Sequence, residues 1–236
     1  MASKDIFVQV SGLNQSLSPT NTSSSKVANI PCFAPSKETA QIEGSKAFSK
    51  DFMARHKILT AEYRNFRSFS AAEAYIKSIS HKVVLKASGL AAGKGVILPE
   101  TKDEALQGLR EIMLDHKFGN AGDEVVIEEL LEGDELSILT FSDGKTFKSM
   151  APAQDHKRIF DGDLGPNTGG MGCYAPTKIA TPEVIREIKE TILRPTFEGL
   201  RKEGNIFILP YRKFGVGTKI YAQASRLLAC SSQASC

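Results

Sequence analysis

The 236-residue sequence contains no tryptophan, only four cysteines and four histidines, and just 8% aromatic residues. Cys32, Cys173, Cys230 and Cys236 are far apart and form no Cys-x-x-Cys pair. That spacing argues against a zinc knuckle or a dense disulfide scaffold and fits free thiols in a reducing compartment. No stretch approaches the roughly 18 consecutive apolar residues of a membrane helix, and the amino terminus lacks the charged and apolar blocks of a secretory signal. An excess of charge is missing too. Thirty Lys and Arg against 27 Asp and Glu leave +3, and a pI near 8.6 with no basic run gives no basis for a nucleic-acid partner. These absences predict a soluble, cytoplasmic protein that uses small anionic ligands, binds no nucleic acid and enters no membrane. A hydrophobic content of 41% is enough for one large domain or two small ones.

Residues 1–27 are rich in Ser, Thr and Asn and read as a disordered leader. Pro35-Ser36 offers a helix start, Gly44 interrupts that helix, and Ser45 caps a second one with Ala47, Phe48, Phe52 and Met53 on one side. Lys46 falls in its first turn, where a cation opposes the helix dipole unless an anion is near. Ser70 with Glu73 and Thr101 with Glu104 read as capping boxes, predicting helices over about 71–79 and 102–115. Strands are predicted at 125–127 and 135–141, with Asp143-Gly144 as a hairpin turn. Thr181-Pro182-Glu183 starts a further helix that Pro195 should bend and Gly204 should end.

Four segments carry chemistry. The first, Val83 to Val96, is a β-branched strand that delivers Lys86 into a loop containing Gly89, Gly93, Lys94 and Gly95. Glycines let a backbone approach an anion closely, and ammonium groups offset polyphosphate charge. The spacing is not that of a Walker A loop, and the next residues, Val96-Ile97-Leu98-Pro99, read as a strand rather than a helix, so it is no Rossmann fingerprint either. A phosphate cradle and an ordinary glycine-rich hairpin both fit this segment. The second, Glu128 to Glu135, suits a connector lying along a nucleotide, or a solvated acidic hairpin. The third is Gln154-Asp155-His156-Lys157-Arg158, a dense charge cluster fitting a phosphate or carboxylate substrate, or a charged surface turn. The fourth, Gly162 to Gly172, has five glycines in eleven residues, which suits close backbone approach to a ligand, or a linker.

Together, the order Ser45-Lys46, Lys86 to Val96, Ile127 to Glu135, Gln154 to Arg158 and Gly165-Pro166-Asn167-Thr168-Gly169-Gly170-Met171-Gly172 resembles glycinamide ribonucleotide synthetase, the phosphoribosylamine–glycine ligases, from about Asn29 to Gly204. The resemblance implies an α+β ATP-grasp fold, present in part. It also implies ATP-dependent joining of glycine to 5-phosphoribosylamine through a glycyl phosphate, giving glycinamide ribonucleotide, ADP and phosphate in purine synthesis. Its cofactors would be ATP and Mg (or Mn), and its full-length form could belong to a multifunctional purine-pathway protein.

By the same resemblance, Lys46 and Lys86 would reach ATP phosphates and the loop with Ser88, Gly89, Gly93, Lys94 and Gly95 would cover them. Glu128 and Leu130 would meet adenine through their backbones, and Glu135 would meet the ribose. Asp155, Lys157 and Arg158 would act near the γ-phosphate, while Asn167, Thr168, Gly169 and Gly170 would hold the phosphoribosyl group or the acyl phosphate. The implied organisation is a leader (1–27), a linker with central-domain helices (28–81), a lid (82–142), a partial second lobe (143–205) and a divergent tail (206–236). Two departures stand out. Nothing in 1–27 resembles the family's amino-terminal domain, and no Asp or Glu follows Glu203, so hard oxygen ligands for a metal are not found in the tail. A second expectation follows from these departures: a truncated or splice-variant fragment, inactive alone and retaining at most weak nucleotide binding.

Overall fold

A computed structural model describes residues 37–91, 95–131, 133–162, 164–204, 212–216 and 220–222. The expected leader and residues 206–211 of the expected tail lie outside the described residues.

The chain starts with α1 (Lys37–Gly44) and α2 (Lys46–Arg55), hinged at Ser45, whose hydroxyl accepts from the N–H of Phe48 as an N-cap. Next come β1 (Tyr63–Phe66), α3 (Phe69–Ser78), β2 (Val83–Ala87), β3 (Val96–Ile97), α4 (Lys102–Met113), a 3₁₀ turn (Gly119–Gly122) and β4 (Val125–Glu129). The four strands form one antiparallel sheet in the order β1-β4-β2-β3. Its inner face, carrying Val83, Leu85, Ala87, Val125 and Ile127, packs on Ala72 and Ile76 of α3 and on Ala105, Leu109, Ile112 and Met113 of α4.

Capping differs from expectation at α3. Ser68, not Ser70, is the N-cap, accepting from the N–H of Ala71, and Ser70 lies inside the helix within 3.0 Å of the Ser68 hydroxyl. Glu73 instead pairs with Lys77 one turn on. At α4 the Thr101 hydroxyl accepts from the N–H of Glu104 as expected, while the Glu104 carboxylate reaches one residue further back, to the N–H of Glu100.

The rest of the chain builds a second unit. β5 (Asp134–Ile138) pairs with β10 (Arg212–Val216), which pairs with β11 (Ile220–Ala222). The tail therefore contributes strands, although its sequence has little periodicity. β6 (Thr140–Ser142) and β7 (Phe147–Ser149) form the expected Asp143-Gly144 hairpin, with Gly144 at φ 85° and the Asp143 carboxylate accepting from the N–H groups of Lys145 and Thr146. β8 (Gln154–Phe160) and β9 (Leu164–Tyr174) form a longer hairpin. After them α5 (Pro182–Ile188) is capped by Thr181, and a π turn over Lys189–Leu193 leads into α6 (Arg194–Lys202). The bend expected at Pro195 is thus a widened turn just before it, where the ring would collide with a regular helical carbonyl.

Leu136 and Ile138 of β5 share a core with Ile188, Ile192, Leu193, Phe197 and Leu200, and with Phe52, Met53 and Ile58. Strands β1 to β4 thus pack in one core and β5 in the other, the change falling between β4 and β5. Helix α2 serves both units. Its Phe52 and Met53 enter the second core, while its first turn meets the first unit at Ser88. At its far end Arg55 and His56 both reach Glu203 beyond α6. Partial burial opposes ionisation of Glu203, but His56 and Arg55 hold its carboxyl below the usual range.

Candidate functional site

Strand alternation sets the site. With Leu85 and Ile127 facing the core, Lys86 and Glu128 emerge on the opposite face of β2 and β4. Lys50 descends on the same face from α2. Glu128 Oε2 accepts from both ammonium groups, each at 3.0 Å, and the side chains of Lys50, Glu128 and Lys86 are 0%, 3% and 9% exposed. Lys50 also donates to Thr60 Oγ1 at 2.7 Å and to the Ala61 carbonyl at 3.3 Å. An ammonium has three donors, so Lys50 is saturated. Among the described residues Lys86 has Glu128 alone, which leaves it two N–H donors.

The electrostatics are unbalanced. Two cations share one anion out of water, and Glu128 Oε1 is buried with no hydrogen-bond partner. Desolvation lowers the Lys50 pKa to about 8, with Lys86 adding repulsion, although Glu128 pulls the other way. Burial disfavours the Glu128 carboxylate, yet Lys86 and Lys50 outweigh it and hold the group below the usual carboxylate range. A buried acceptor of this kind is ordinarily completed by a water, an ion or a ligand group, and the adjacent Lys86 has donors for the same purpose.

The glycine loop begins at Ser88, whose hydroxyl accepts from the N–H of Ala47 and lies 3.1 Å from the Ser45 hydroxyl, while its carbonyl accepts from the N–H of Lys46. Lys46 Nζ donates to the carbonyls of Ala87 and Gly89 at 2.8 and 3.0 Å, at the mouth of the loop. Gly89 is pressed onto the 3₁₀ turn: a Cβ there would lie 2.8 Å from Ala121 Cα. Gly95 is equally confined, by the side chains of Ala91 and Ala87. At these two positions packing within the lid, not a ligand, already requires glycine. Gly93 and Lys94 lie outside the described residues.

β4 runs between β1 and β2, and the N–H of Leu130 donates to the Lys82 carbonyl at 3.1 Å. Glu128 therefore brings its side chain to the site, and the backbone role expected of Leu130 narrows to its carbonyl. Glu135 pairs through its backbone with Gly215, and its side chain lies outside the described residues.

The charge cluster and the glycine-rich string, separate motifs in sequence, are the two strands of one hairpin. Asp155 lies opposite Cys173, His156 opposite Gly172, and Arg158 opposite Asn167, with irregular register between them. Asp155 Oδ1 accepts from the Ser137 hydroxyl of β5 at 3.4 Å, and Ser137 bridges Ala153 through its backbone. Arg158 is exposed and donates to the Gly165 carbonyl at 3.1 Å. Thr168, Gly169 and Gly170 run along β9, Thr168 half-buried. The side chains of Lys157 and Asn167 lie outside the described residues.

Sequence reasoning missed Lys50. Its signal was a lysine three residues after Ala47 and three before Met53, inside an apolar helical stripe and one turn beyond Lys46.

Among the described residues, no group of three or more His, Cys, Asp and Glu is placed to hold a metal ion. No helix among them is long and apolar enough to cross a membrane.

Comparison with known proteins adds to this geometry. Residues 44–212 match the family described as phosphoribosylglycinamide synthetase, ATP-grasp (A) domain. A bifunctional purine biosynthetic protein, ADE1, of Schizosaccharomyces pombe is 60% identical over 175 residues, covering 74% of this chain and 22% of that protein. A phosphoribosylamine–glycine ligase of Pasteurella multocida is 49% identical over 182 residues, covering 77% of this chain and 42% of its own length. The crystal structure of a phosphoribosylamine–glycine ligase from Thermotoga maritima superposes with a TM-score of 0.71 at 33% identity, covering 81% of this chain and 50% of that one. The chain thus spans about a fifth of the bifunctional relative and about two fifths of the Pasteurella ligase. With a family match over 44–212 and an α+β fold shared with a solved ligase, the chain belongs to the phosphoribosylglycinamide synthetase ATP-grasp family.

Proposed function

We propose that this chain supplies the ATP-gripping part of a phosphoribosylamine–glycine ligase, which joins glycine to 5-phosphoribosylamine at the expense of ATP. The observation that carries the reading is the incomplete buried cluster at the foot of the glycine loop, where Lys86 has two donors to spare and Glu128 Oε1 has no partner. A polyphosphate with a base edge nearby is a ligand that completes both.

In this reading Lys86 donates to the phosphates and Lys46 adds charge at the mouth of the loop. Ser88, Gly89 and Gly95, with Gly93 and Lys94, shape the cradle, while Glu128 and Leu130 border the adenine and Glu135 the ribose. Glycine's carboxylate attacks the γ-phosphorus, the bond to the ADP oxygen breaks, and a glycyl phosphate forms. The amine of 5-phosphoribosylamine then attacks the acyl carbon and expels phosphate, which carries away the proton the amine loses. Lys157 and Arg158 offset the negative charge that moves during both transfers, with Asp155 beside them on the substrate side, and Asn167, Thr168, Gly169 and Gly170 hold the phosphorylated partner. Catalysis of this kind is mainly positioning and charge stabilisation.

Metal ions serve such chemistry by offsetting phosphate charge. The described residues do not form a metal cage, so the roles above are assigned to this chain's own side chains. Nothing among the described residues favours the inactive-fragment expectation over the ligase reading. The named relatives, one of them a bifunctional purine biosynthetic protein, support a purine-synthesis role within a multifunctional protein.

The test is twofold, on the full 236-residue chain. Saturable ATP binding by calorimetry should weaken about a hundredfold in Lys86→Met, the scale for removing a buried charge partner of a phosphate. Turnover of glycine, phosphoribosylamine and Mg-ATP should follow the same loss. Binding that Lys86→Met leaves unchanged would overturn the site, and saturable binding without turnover would overturn independent ligase activity.

A further inference from the structure

The lysine that sequence reasoning overlooked is more deeply buried than the one it found. Lys50 is fully enclosed, and all its donors are used: Thr60 Oγ1, the Ala61 carbonyl and Glu128 Oε2. Its ammonium also lies 5.4 Å from the centroid of the Tyr63 ring. A ligand could be met by Lys50 only by breaking one of these bonds in a dry site. Glu128 and Lys86 are open where Lys50 is closed.

We propose that Lys50 is a positioning residue for the nucleotide: it touches no ligand, but shares the Glu128 carboxylate with Lys86, so that Lys86 keeps spare donors and net positive charge for a polyphosphate. The inference rests on the reading that Lys86 meets the triphosphate.

Lys50 and Lys86 share one carboxylate. With both lysines protonated, the cluster carries two positive charges and one negative, and Glu128 Oε2 is divided between two ammonium groups at equal distance. If Lys50 is neutral, the carboxylate belongs to Lys86 alone, the cluster has no net charge, and the attraction for phosphate falls steeply in a site of low dielectric. Lys50 also fixes the carboxylate rotamer, because Thr60 and Ala61 anchor the ammonium from the side away from β2. The groups facing Lys50 are Glu128 and Glu129 from β4, Lys86 from β2 and Tyr63 from β1. Desolvation brings the Lys50 pKa to about 8, so its charge is lost within an accessible alkaline range while ATP phosphates keep theirs.

A double-mutant cycle separates this role from direct contact and from mere structural support. ATP affinity is measured by calorimetry on the full chain for wild type, Lys50→Met, Glu128→Gln and the pair combined, with Lys86→Met as the reference for the site. The expected result is that Lys50→Met weakens binding about tenfold alone and less than about twofold in the Glu128→Gln background, since the route through the carboxylate is already broken. Between pH 7 and 9.5 the wild-type affinity should fall on an alkaline limb centred near 8, and Glu128→Gln should remove that limb. Lys50→Arg, which restores charge without titrating, should recover affinity at pH 9. Equal losses from Lys50→Met in both backgrounds would mean direct contact with ATP and overturn the proposal. So would an alkaline limb that survives Glu128→Gln. Should Lys50→Met unfold the chain, Lys50→Arg and the pH profile of wild type still decide. Failure of the underlying site reading looks different: Lys86→Met then binds ATP as wild type does.

Discussion

The lid and the β8–β9 hairpin both carry residues expected to act, yet they are built on opposite plans. In the lid, Lys86 and Glu128 stand on central strands backed by a core that leaves Leu85, Leu109 and Ile112 fully buried. The hairpin pairs chiefly with itself, tied to β5 through Ser137 and Ala153, and leaves Phe160, Leu164 and Met171 about 60% exposed. The lid holds its charged groups ready in a dry site, where each is worth more than in water. Arg158, by contrast, is exposed and anchored through a single carbonyl, so most of its interaction with an anion must be made against solvent. Pre-organisation belongs to the four-stranded sheet, and adaptability to the β8–β9 hairpin.

The contrast can be broken most forcefully in the two apolar layers. Leu109→Ala should destabilise the chain by about 2–5 kcal/mol, the range for emptying a packed core site, whereas Phe160→Ala should change stability by less than about 0.5 kcal/mol. Urea denaturation of both variants checks this, and comparable losses would mean that the hairpin tip is packed as tightly as the lid. Next in size are the glycines. A methyl group at Gly122 would collide with the Ile112 carbonyl, while at Gly172 on β9 it meets nothing within 4 Å. Gly122→Ala should therefore lose about 1–3 kcal/mol to overpacking and Gly172→Ala almost none, as read from thermal unfolding.

A third test sharpens the comparison through pH. Because the folded chain lowers the Lys50 pKa from 10.5 to about 8, the unfolded chain holds a proton between those values that the folded chain has released. Stability from this group is thus reduced below pH 8 and recovers as pH rises. Wild type should gain stability relative to Lys50→Met between pH 8 and 10, as read from urea denaturation across that range. Tyr63, raised by burial and by Asp51, is present in both chains and cancels in the difference.

Much of this was legible in the sequence. Lys86 could be assigned to the end of a strand because five residues of strand pattern precede a glycine cluster, and Ser45, Thr101 and Thr181 cap their helices as their positions suggest. Ser70 misled because Ser68 offers the same chemistry two residues earlier, and only the path of the chain from β1 chooses between them. That β5 packs in a different core from β4 shows only in space, because the turn between them does not say which helices each strand will meet. The tail strand at Arg212–Val216 is recruited by pairing with β5 rather than by its own pattern, a tertiary effect that outweighs local propensity. The shared carboxylate of Glu128 needed three elements brought together, which no local pattern encodes.

Helix α2 has a consequence for anyone who would exchange parts between relatives. Its Phe52 and Met53 are bricks in one wall, while Lys50 and the Ser45–Ser88 contact are mortar in another. A chimera cut at the first strand of the lid would separate Glu128 from the ammonium that holds it. The transplantable unit instead starts ahead of Ser45, and whoever moves the glycine loop must carry that helix with it.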